Sequence, residues 1–600
     1  MKKTLKYLAL AVSVLAITTT VSCNKDEFLE NVNKSKLNDQ TMWDSENNAD
    51  IFLNDVYFTM PSSYNRFDYL DYYTDDYNIS HYYDASNWRQ GNCLAPAFST
   101  SNEWFDNHGP TEGYDWLQLY RKIRKANTFI QKIEEYKDNY SEEWYNKRMD
   151  EARFMRAFFY YKGFIHYGGL PIITVPLDRA TMTEEELAVP RSTFEETFNF
   201  ITSELGEIVD NGDMPAKYDT GDPEAGHATI GAALALKGWV ELFAASELFN
   251  SGVPYLSDPD NFVHFKIANS NLWAEAAATN KKFIDELGGT YALFGDLEGL
   301  WKVENEYNSE IIWDRQHLAD VSYEMGGEYN VRGGTPFIHG VYYTFGNFNP
   351  TQEVVDCFLM ANGKKITDPT SGYDPQNPFV DREQRFYDFI VYDGAELKMD
   401  WMTTPDIVYT RIDKVNPSDN EIDLSGSSDV GDSGYYIKKR LNHDAPPGVN
   451  TSGQNNVYFR YAEVLLNYAE AQNEAVGPDA TVYDALNRIR NRSNLPDLQT
   501  GLNQAQMREE IRRERRVELC FEEKRYLDNK RWRTAEIVMN QPRHNMVIRN
   551  SSPDDNSGVW TYSIEAELDY ASKFEVKQYM TPIPYEAIDQ NKGMSQNPGY

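Results

Sequence analysis

Cysteine, basic charge and long apolar runs are all scarce in this sequence. The chain has four cysteines in 600 residues, and Cys93, Cys357 and Cys520 are widely spaced, so we expect no disulfide framework. The 58 basic residues are outnumbered by 93 acidic ones, and the resulting formal charge of −35 repels a phosphate backbone. No apolar run approaches the ~20 residues that a membrane-spanning helix needs. The composition therefore argues against a disulfide scaffold, a nucleic-acid-binding protein and a membrane-spanning protein.

Signatures of metal and nucleophilic chemistry are also missing. The nine histidines form no His-Glu-x-x-His pattern, and no pair of cysteines has zinc spacing. No Ser-His-Asp elbow and no phosphate-cradling glycine loop stands out. Acidic loops at 258–261 and 419–432 offer oxygen ligands for a structural calcium, although a solvated loop is the more common meaning of such a pattern. We expect no cofactor, with structural calcium as the alternative.

The first residues have the pattern of a secretory signal peptide. Lys2, Lys3 and Lys6 precede a short apolar run at 8–17 that ends in small polar residues. The small residues at 20–22 lead into Cys23, which resembles the acylated first residue of a lipoprotein. We therefore expect residues 1–22 to be removed and the mature chain to be attached to a membrane by a lipid anchor.

Amphipathic helices dominate the rest of the chain. Apolar residues recur at one-face spacing in two blocks, at about 40–320 and about 456–600, and a loop-rich segment at about 321–455 with short strands separates them. The pattern predicts separate helices. The first begins at 116, the second covers 154–168 and ends at Gly168-Gly169, and the others lie at 194–209, 232–243, 273–287, 461–468, 483–492 and 504–526. The fold class is mainly α, with degenerate tetratricopeptide-like hairpins that have no strict period. We expect residues 23–600 to form a single domain in which the two blocks pack together.

Aromatic residues make up 14% of the chain, with 41 Tyr and 12 Trp. A sugar ring stacks its C–H face on an aromatic plane, and its hydroxyls bond to amides, carboxylates and guanidinium groups. Two irregular stretches, at 81–106 and 323–348, combine these groups. The predicted ligand residues are Tyr82, Tyr83, Asn87, Trp88, Arg89, Asn102 and Trp104 from the first stretch, and Tyr329 and Tyr342 from the second. Trp88 and Trp104 rank first, and the competing interpretation is that such rings fill small cores beneath the loops.

Several motifs resemble the SusD/RagB family, and they occur in the family's order along nearly the whole mature chain. They are Glu-Ala-Arg-Phe-Met-Arg-Ala at 151–157 with Tyr-Gly-Gly-Leu-Pro at 167–171, Asn-Ser-Glu-Ile-Ile-Trp at 308–313, Pro-Thr-Gln-Glu-Val-Val-Asp at 350–356, Phe-Arg-Tyr-Ala-Glu-Val-Leu-Leu-Asn-Tyr-Ala-Glu at 459–470, Asn-Arg-Ile-Arg-Asn-Arg at 487–492 and Gln-Asn-Pro-Gly-Tyr at 596–600. His227 departs from the pattern, since an arginine is common there.

The resemblance implies a function as well as a fold. It implies a non-catalytic outer-membrane lipoprotein that binds an oligosaccharide or polysaccharide and delivers it to a SusC-like, TonB-dependent transporter. The Lys-plus-acidic segment at 24–27 resembles a surface-export signal, which implies that the protein faces outward. Family members of this kind draw their stacking rings from the two aromatic stretches.

Two other functions stay open at this point. A branch of the same family is thought to bind peptides, which helical hairpins commonly do. A secreted glycoside hydrolase would need two carboxylates ~5–9.5 Å apart. Asp75 and Asp76 are the obvious pair near the first aromatic stretch, but adjacent acids in such a turn are usually solvated. The charged residues of the helices, including those at 512–518, are expected to form intramolecular ion pairs.

Overall fold

The fold is known from a computed structural model of the chain. It describes residues 39–61, 69–79, 86–89, 91, 110–318, 334–344, 346, 348–425, 430–441, 443–444, 446–447, 453–567 and 572–600. None of the helices within these ranges is both long and apolar enough to cross a membrane.

Nine long helices form the framework of the described residues. They are α1 (Glu46–Phe58), α2 (Trp116–Glu135), α3 (Glu142–Tyr167), α4 (Phe194–Asn211), α5 (Ile230–Ala245), α6 (Leu272–Leu287), α7 (Tyr461–Val476), α8 (Ala480–Arg492) and α9 (Gln504–Glu518). Shorter helical segments occur at Asp39–Trp43, Ser86–Arg89, Glu184–Leu187, Glu247–Asn250, Gln352–Val355, Gln384–Phe389, Arg525–Arg531, Ala535–Val538 and Tyr585–Gln590. The mainly helical fold class predicted from the sequence is confirmed.

Local sequence signals explain where the helices begin and end. Asp115 and Ser141 cap the first turns of α2 and α3 by accepting hydrogen bonds from the backbone N–H groups of Gln118 and Trp144, three residues on. The third helix ends at Gly168, whose φ of +79° favours glycine, and a Cβ there would lie 2.2 Å from the carbonyl oxygen of Phe262. The predicted end of this helix at Gly168-Gly169 is confirmed.

One predicted helix is shorter than expected. The charged segment from 504 was predicted to stay helical to about 526, but α9 ends at Glu518 and a separate helix runs Arg525–Arg531. Phe521 and Glu523, between the two, both have φ of +62°. Because non-glycine residues in this left-handed region interrupt a right-handed helix, the chain turns here.

Consecutive helices pack on one another, and the two helical blocks meet. The contacts run in order from α1 to α6, and α6 then packs along α7 of the second block. The predicted contact between the blocks is therefore confirmed. One hydrophobic core cluster includes residues of both blocks, among them Phe283 of α6 and Leu465 of α7.

Twelve short strands form six two-stranded antiparallel ladders in the described residues. They are β1 (Tyr77–Ile79) with β5 (Phe348–Pro350), β2 (Ile311–Arg315) with β10 (Asn456–Arg460), β3 (Phe337–Ile338) with β4 (Val341–Tyr342), β6 (Ile390–Val391) with β9 (Tyr436–Ile437), β7 (Ala395–Leu397) with β8 (Asp406–Val408), and β11 (His544–Asn550) with β12 (Trp560–Ala566). Most of them lie in the middle segment, as its composition predicted.

A buried network of ion pairs connects the helical blocks. Arg460, 2% exposed, donates from Nη1 to Oε1 of Glu310 at 2.6 Å and to Oε1 of Glu518 at 2.7 Å. Its Nε donates to Glu522 at 2.8 Å. Burial would raise the pKa of Glu518, but Arg492 and Arg460 hold that pKa well below its ordinary value. The ion pairs predicted for the charged motifs are present, although here they are buried and not solvated.

Candidate functional site

The β1–β5 ladder brings the two aromatic stretches together. Along the ladder Tyr77 pairs with Pro350, and Ile79 pairs with Phe348. The first stretch, 81–106, follows β1, and the second, 323–348, runs into β5. Because Ile79 and Phe348 are direct partners, both stretches leave the ladder at the same end. Two regions far apart in sequence thus start from one place in the fold.

The core holds this ladder firmly. The ring of Tyr72 stacks on Phe348 with a centroid distance of 3.8 Å, and Tyr77 meets Phe521 edge to face at 5.3 Å. Beyond the strands, Thr351 donates its N–H to the carbonyl oxygen of Asp76 at 3.0 Å. The position of the ladder is therefore set by packing against the C-terminal half of the chain.

Asp75 and Asp76 precede the ladder and are buried, which differs from the solvated pair expected from the sequence. Arg525 donates to both carboxylate oxygens of Asp75 at 2.9 and 2.8 Å, and Arg516 donates to both acids. Burial alone would raise the pKa of Asp75, but Arg525 and Arg516 hold it below its ordinary value. Both acids anchor the ladder to the helices, and at Asp76 burial outweighs the guanidinium of Arg516 and raises the pKa of the carboxyl.

A cross-strand pair of asparagines forms the polar face of the ladder. Asn78 and Asn349 are direct partners, and both side chains are fully buried. Asn78 donates to Oδ1 of Asn545 at 3.3 Å, and Asn349 donates to the carbonyl oxygen of Gly346 at 3.0 Å. The Oδ1 atom of each asparagine finds no donor among the described residues.

Two carboxyl groups lie beside this asparagine pair. Asp432 follows Gly431, where a Cβ would come within 2.3 Å of Oδ1 of Asn349, and Glu567 interacts with the side chain of Asn78. Burial raises the pKa of Asp432 to about 8, and repulsion by Glu567 adds to the effect. Burial also raises the pKa of Glu567 to about 7. The guanidinium of Arg89 opposes both shifts.

The cluster at the ladder end is rich in hydrogen-bond acceptors that lack donors. One oxygen of Asp432 and one of Glu567 have no donor in the described part of the chain, like the two asparagine oxygens. Buried polar atoms are nearly always hydrogen-bonded in folded proteins, and exceptions concentrate at sites that bind water, ions or ligands. The arrangement can accept hydrogen bonds from hydroxyl groups.

The predicted ligand residues differ in whether the structure describes them and in how exposed they are. Tyr82, Tyr83, Asn102, Trp104, Tyr329 and the lipidation residue Cys23 lie outside the described residues. Asn87 lies in the helical segment Ser86–Arg89, and its side chain is also outside the description. Trp88 and Arg89 are buried, whereas Tyr342 on β4 is 45% exposed. Tyr342 is thus the exposed member among those with a described side chain.

Trp88 belongs to the interior in this structure, unlike the ligand-facing ring predicted for it. The residue is 5% exposed, and its ring meets Tyr73 edge to face at 6.4 Å. Gln578 donates to the carbonyl oxygen of Trp88 at 2.6 Å, and the N–H of Lys573 donates to that of Arg89 at 2.6 Å. The C-terminal segment therefore covers this helical turn, a long-range contact that local sequence does not signal.

In the first candidate calcium loop, the carboxylate of Asp258 is already engaged. The oxygens of Asp258 accept from the N–H groups of Phe262 and Val263 and from His264, so they are already used. In the loop at 419–432, the residues 426–429 lie outside the description. Three exposed acids elsewhere, Glu304, Asp400 and Asp444, lie within 4.8 Å of one another, and Lys302 binds Asp400 at 2.8 and 3.0 Å. The lysine already offsets charge in that group.

A separate cavity of about 390 Å³ lies between α1, the segment before α5 and the end of β2. Its walls include Asn54, Phe58, His227, Gln316 and Leu318, and the ring of Phe58 is 69% exposed. Trp88, Arg89 and Tyr342, the predicted ligand residues with described side chains, do not line it. His227, which departs from the family pattern, has its Nδ1 at 2.9 Å from Oε2 of Glu151 and its Nε2 at 2.9 Å from Oδ1 of Asn54.

The chain matches two family models. Residues 309–600 match the model described as "SusD family", and residues 27–238 match the model described as "Starch-binding associating with outer membrane". Among curated proteins, the chain is 24% identical over 548 residues to SusD-like protein P38 of Formosa agariphila, which covers 88% of this chain and 92% of the relative. SusD-like protein P25 of the same organism is 25% identical over 428 residues, covering 70% and 69%.

Solved structures have the same fold. A SusD-like protein from Bacteroides fragilis superposes with a TM-score of 0.73 at 24% identity, covering 94% of this chain and 99% of the other. A SusD-like carbohydrate-binding protein from the same species gives 0.72 at 21% identity, covering 92% and 100%. A laminarin-binding SusD-like protein gives 0.61 at 19% identity, covering 93% and 100%. With the two family models and the shared fold, the chain belongs to the SusD family.

Proposed function

We propose that this protein is a cell-surface lipoprotein that captures a glycan and delivers it, uncleaved, to a TonB-dependent transporter of the outer membrane. The observation that carries the proposal is the common origin of the two aromatic stretches at the Ile79–Phe348 end of the β1–β5 ladder. A sugar needs stacking rings and polar groups in one place. The ladder end combines acceptor oxygens with two chain segments that are rich in such rings.

Membership of the SusD family supports a carbohydrate ligand over the alternatives. The matching models and relatives include proteins named for binding starch, laminarin or carbohydrate. Stacking contacts of ~0.5–1.5 kcal/mol each, reduced by the cost of association, correspond to micromolar to millimolar dissociation constants. Such affinity suits transfer to a transporter, because a ligand held weakly is released quickly.

The test of glycan capture is calorimetry with a panel of laminarin, starch, xylan and mannan. We expect at least one glycan to bind and Trp104→Ala to weaken that binding about two- to tenfold, as the loss of one stacking contact of ~0.5–1.5 kcal/mol allows, without lowering the melting temperature. Phe58→Ala, which removes an exposed ring from the separate cavity, is the matched control and should bind like wild type. Trp88→Ala should instead lower stability by ~3–5 kcal/mol, as truncation of a buried ring does.

Two results would contradict glycan capture. Binding of a peptide pool, with no heat from any glycan, would favour the peptide-binding branch of the family. Release of reducing ends from the bound glycan, lost in Asp432→Asn or Glu567→Gln, would make the protein a hydrolase that uses these two carboxyl groups.

Membrane attachment and transfer have their own test. Cys23→Ala should move the protein from the outer-membrane fraction into the soluble fraction when it is expressed in its own host. The wild-type protein should co-purify with a barrel transporter after mild detergent extraction. Membrane association of the Cys23→Ala protein at wild-type levels would contradict the lipid anchor.

A further inference from the structure

A second group of aromatic side chains lies outside both predicted stretches. Tyr409 follows β8 and is 42% exposed, and Trp560, at the start of β12, is partly buried with one part of its ring against the core. The guanidinium of Arg411 contacts both rings, with Cζ at 4.7 Å from the Tyr409 ring centroid and 4.8 Å from the Trp560 ring centroid. Cation–π contacts at this distance hold both rings against one charge.

Hydrogen bonds to a buried carboxylate and to the β11–β12 hairpin hold this group in place. The buried carboxylate of Asp393 accepts from the backbone N–H groups of Thr410 and Arg411, each at 3.0 Å. The same carboxylate accepts from Nε of Arg411 at 2.9 Å and from its Nη2. The N–H of Ile412 donates to the carbonyl oxygen of Ile548 at 3.0 Å, which joins this segment to the β11–β12 hairpin. The platform of Tyr409, Arg411 and Trp560 is therefore preorganised.

The platform also offers a hydrogen-bond donor to solvent. Asp393 uses Nε and Nη2 of Arg411, whereas Nη1 donates to none of the residues that the structure describes. The Arg411 side chain is 22% exposed. An exposed ring beside a planar donor suits a sugar, because the ring can stack on the C–H face of the sugar while the donor bonds to its hydroxyls.

The platform is linked to the predicted site through Tyr342. The turn between β3 and β4 is fastened to the β7–β8 hairpin: the N–H of His339 donates to Asp406 at 2.5 Å, and the His339 ring lies 3.2 Å from the carbonyl oxygen of Thr404. Tyr342 therefore lies on a hairpin bound to the strand that leads into Tyr409. Two exposed rings, Tyr342 and Tyr409, thus lie on hairpins that are joined by hydrogen bonds.

We infer that Tyr409, Arg411 and Trp560 form an outlying saccharide subsite, so that the protein takes long glycan chains that reach from the ladder end across this platform. This inference rests on the proposed glycan capture and adds the length of the ligand. A second contact on the same chain raises affinity, because it forms at the high effective concentration set by the first. Short oligosaccharides occupy the ladder end alone.

The test is a length series of the glycan that binds best in the calorimetric panel, from trisaccharide to about twenty sugar units. We expect affinity per chain to rise with length for wild type. The double variant Tyr409→Ala/Trp560→Ala should bind the longest chain about five- to tenfold more weakly, as the loss of two stacking contacts allows. It should bind the shortest binding oligomer like wild type.

Matched variants guard against a loss of fold. Tyr585→Ala removes a ring that is 49% exposed on the helix Tyr585–Gln590 and should leave the whole length series unchanged. Arg411→Lys keeps the charge but loses the planar donor, and it should lose affinity for the long chains selectively. The melting temperature of each variant is measured alongside.

The outcomes separate this inference from the proposed function. If the double variant binds long chains as tightly as wild type does, the platform is not a saccharide subsite, while glycan capture still stands. An equal loss for short and long chains would also overturn it, because the residues would then act on the ladder-end site. The absence of binding by any glycan would instead refute the proposed function itself.

Discussion

Two buried polar regions of this protein differ in whether their polar groups are paired. At the junction of the helical blocks, Arg460 donates to Glu310, Glu518 and Glu522 within 2.6–2.8 Å. At the end of the β1–β5 ladder, Asp432 and Asn349 keep acceptor oxygens without donors in the described part of the chain. A paired buried charge holds elements together, whereas an unpaired acceptor is a cost that folding alone does not explain. Single unpaired buried atoms also occur elsewhere, for example Oδ2 of Asp150 and Oε2 of Glu241, so the ladder end is set apart by having four such acceptors in one place.

The largest expected effect comes from breaking the paired region. Arg460→Ala leaves Glu518 and Glu522 buried without this partner, and we expect a loss of ~3–5 kcal/mol in the free energy of unfolding, measured by urea titration. Arg549→Ala is the control, because its pair with Glu565 is exposed and contributes at most ~1 kcal/mol. Equal losses for the two variants would mean that the buried network is not what joins the blocks.

A smaller effect of opposite sign is expected at the ladder end. Burial raises the pKa of Asp432 from 3.8 to about 8, so the folded protein holds this proton more tightly than the unfolded chain does. Stability contributed by the proton is present at low pH and is lost as the pH rises towards 8. The Asp432→Asn variant has no proton to lose at this position. Its free energy of unfolding should therefore exceed that of wild type by ~1–3 kcal/mol at pH 9 and equal it near pH 4.

The paired region should respond in the reverse direction. Arg492 and Arg460 hold the pKa of Glu518 below its ordinary value, so its charge contributes stability above the unfolded pKa of 4.5. Glu518→Gln should therefore destabilise the protein at pH 7. If both substitutions shifted stability in the same direction at neutral and high pH, the contrast between the two regions would be wrong.

The smallest effect is expected at the exposed ring of β4. Tyr342→Ala should reduce the affinity for the bound glycan by ~0.5–1.5 kcal/mol, the value of one stacking contact, and leave the melting temperature unchanged. Calorimetry and thermal unfolding of the same preparation check both statements. A fall in melting temperature with unchanged affinity would assign Tyr342 to packing.

The sequence predicted the framework well and the site only in part. Apolar periodicity and the glycine pair after α3 sufficed for the helices, because those signals are local. The meeting of Asn78 with Asn349 depends on strand register across the chain, and the burial of Trp88 depends on the segment that carries Gln578. Tyr409 and Trp560 were missed, since each is a single ring in a strand-like segment and only the fold sets them around Arg411.

Hydrogen–deuterium exchange with and without the glycan that binds best in the panel tests the central claim most directly. The account predicts slower exchange in peptides that span 77–109 and 319–350, on both sides of the Ile79–Phe348 pair, and no change in α1 or in the loop that carries His227. Slower exchange confined to α1 and that loop would place the ligand in the separate cavity and contradict the assignment of the site to the ladder end.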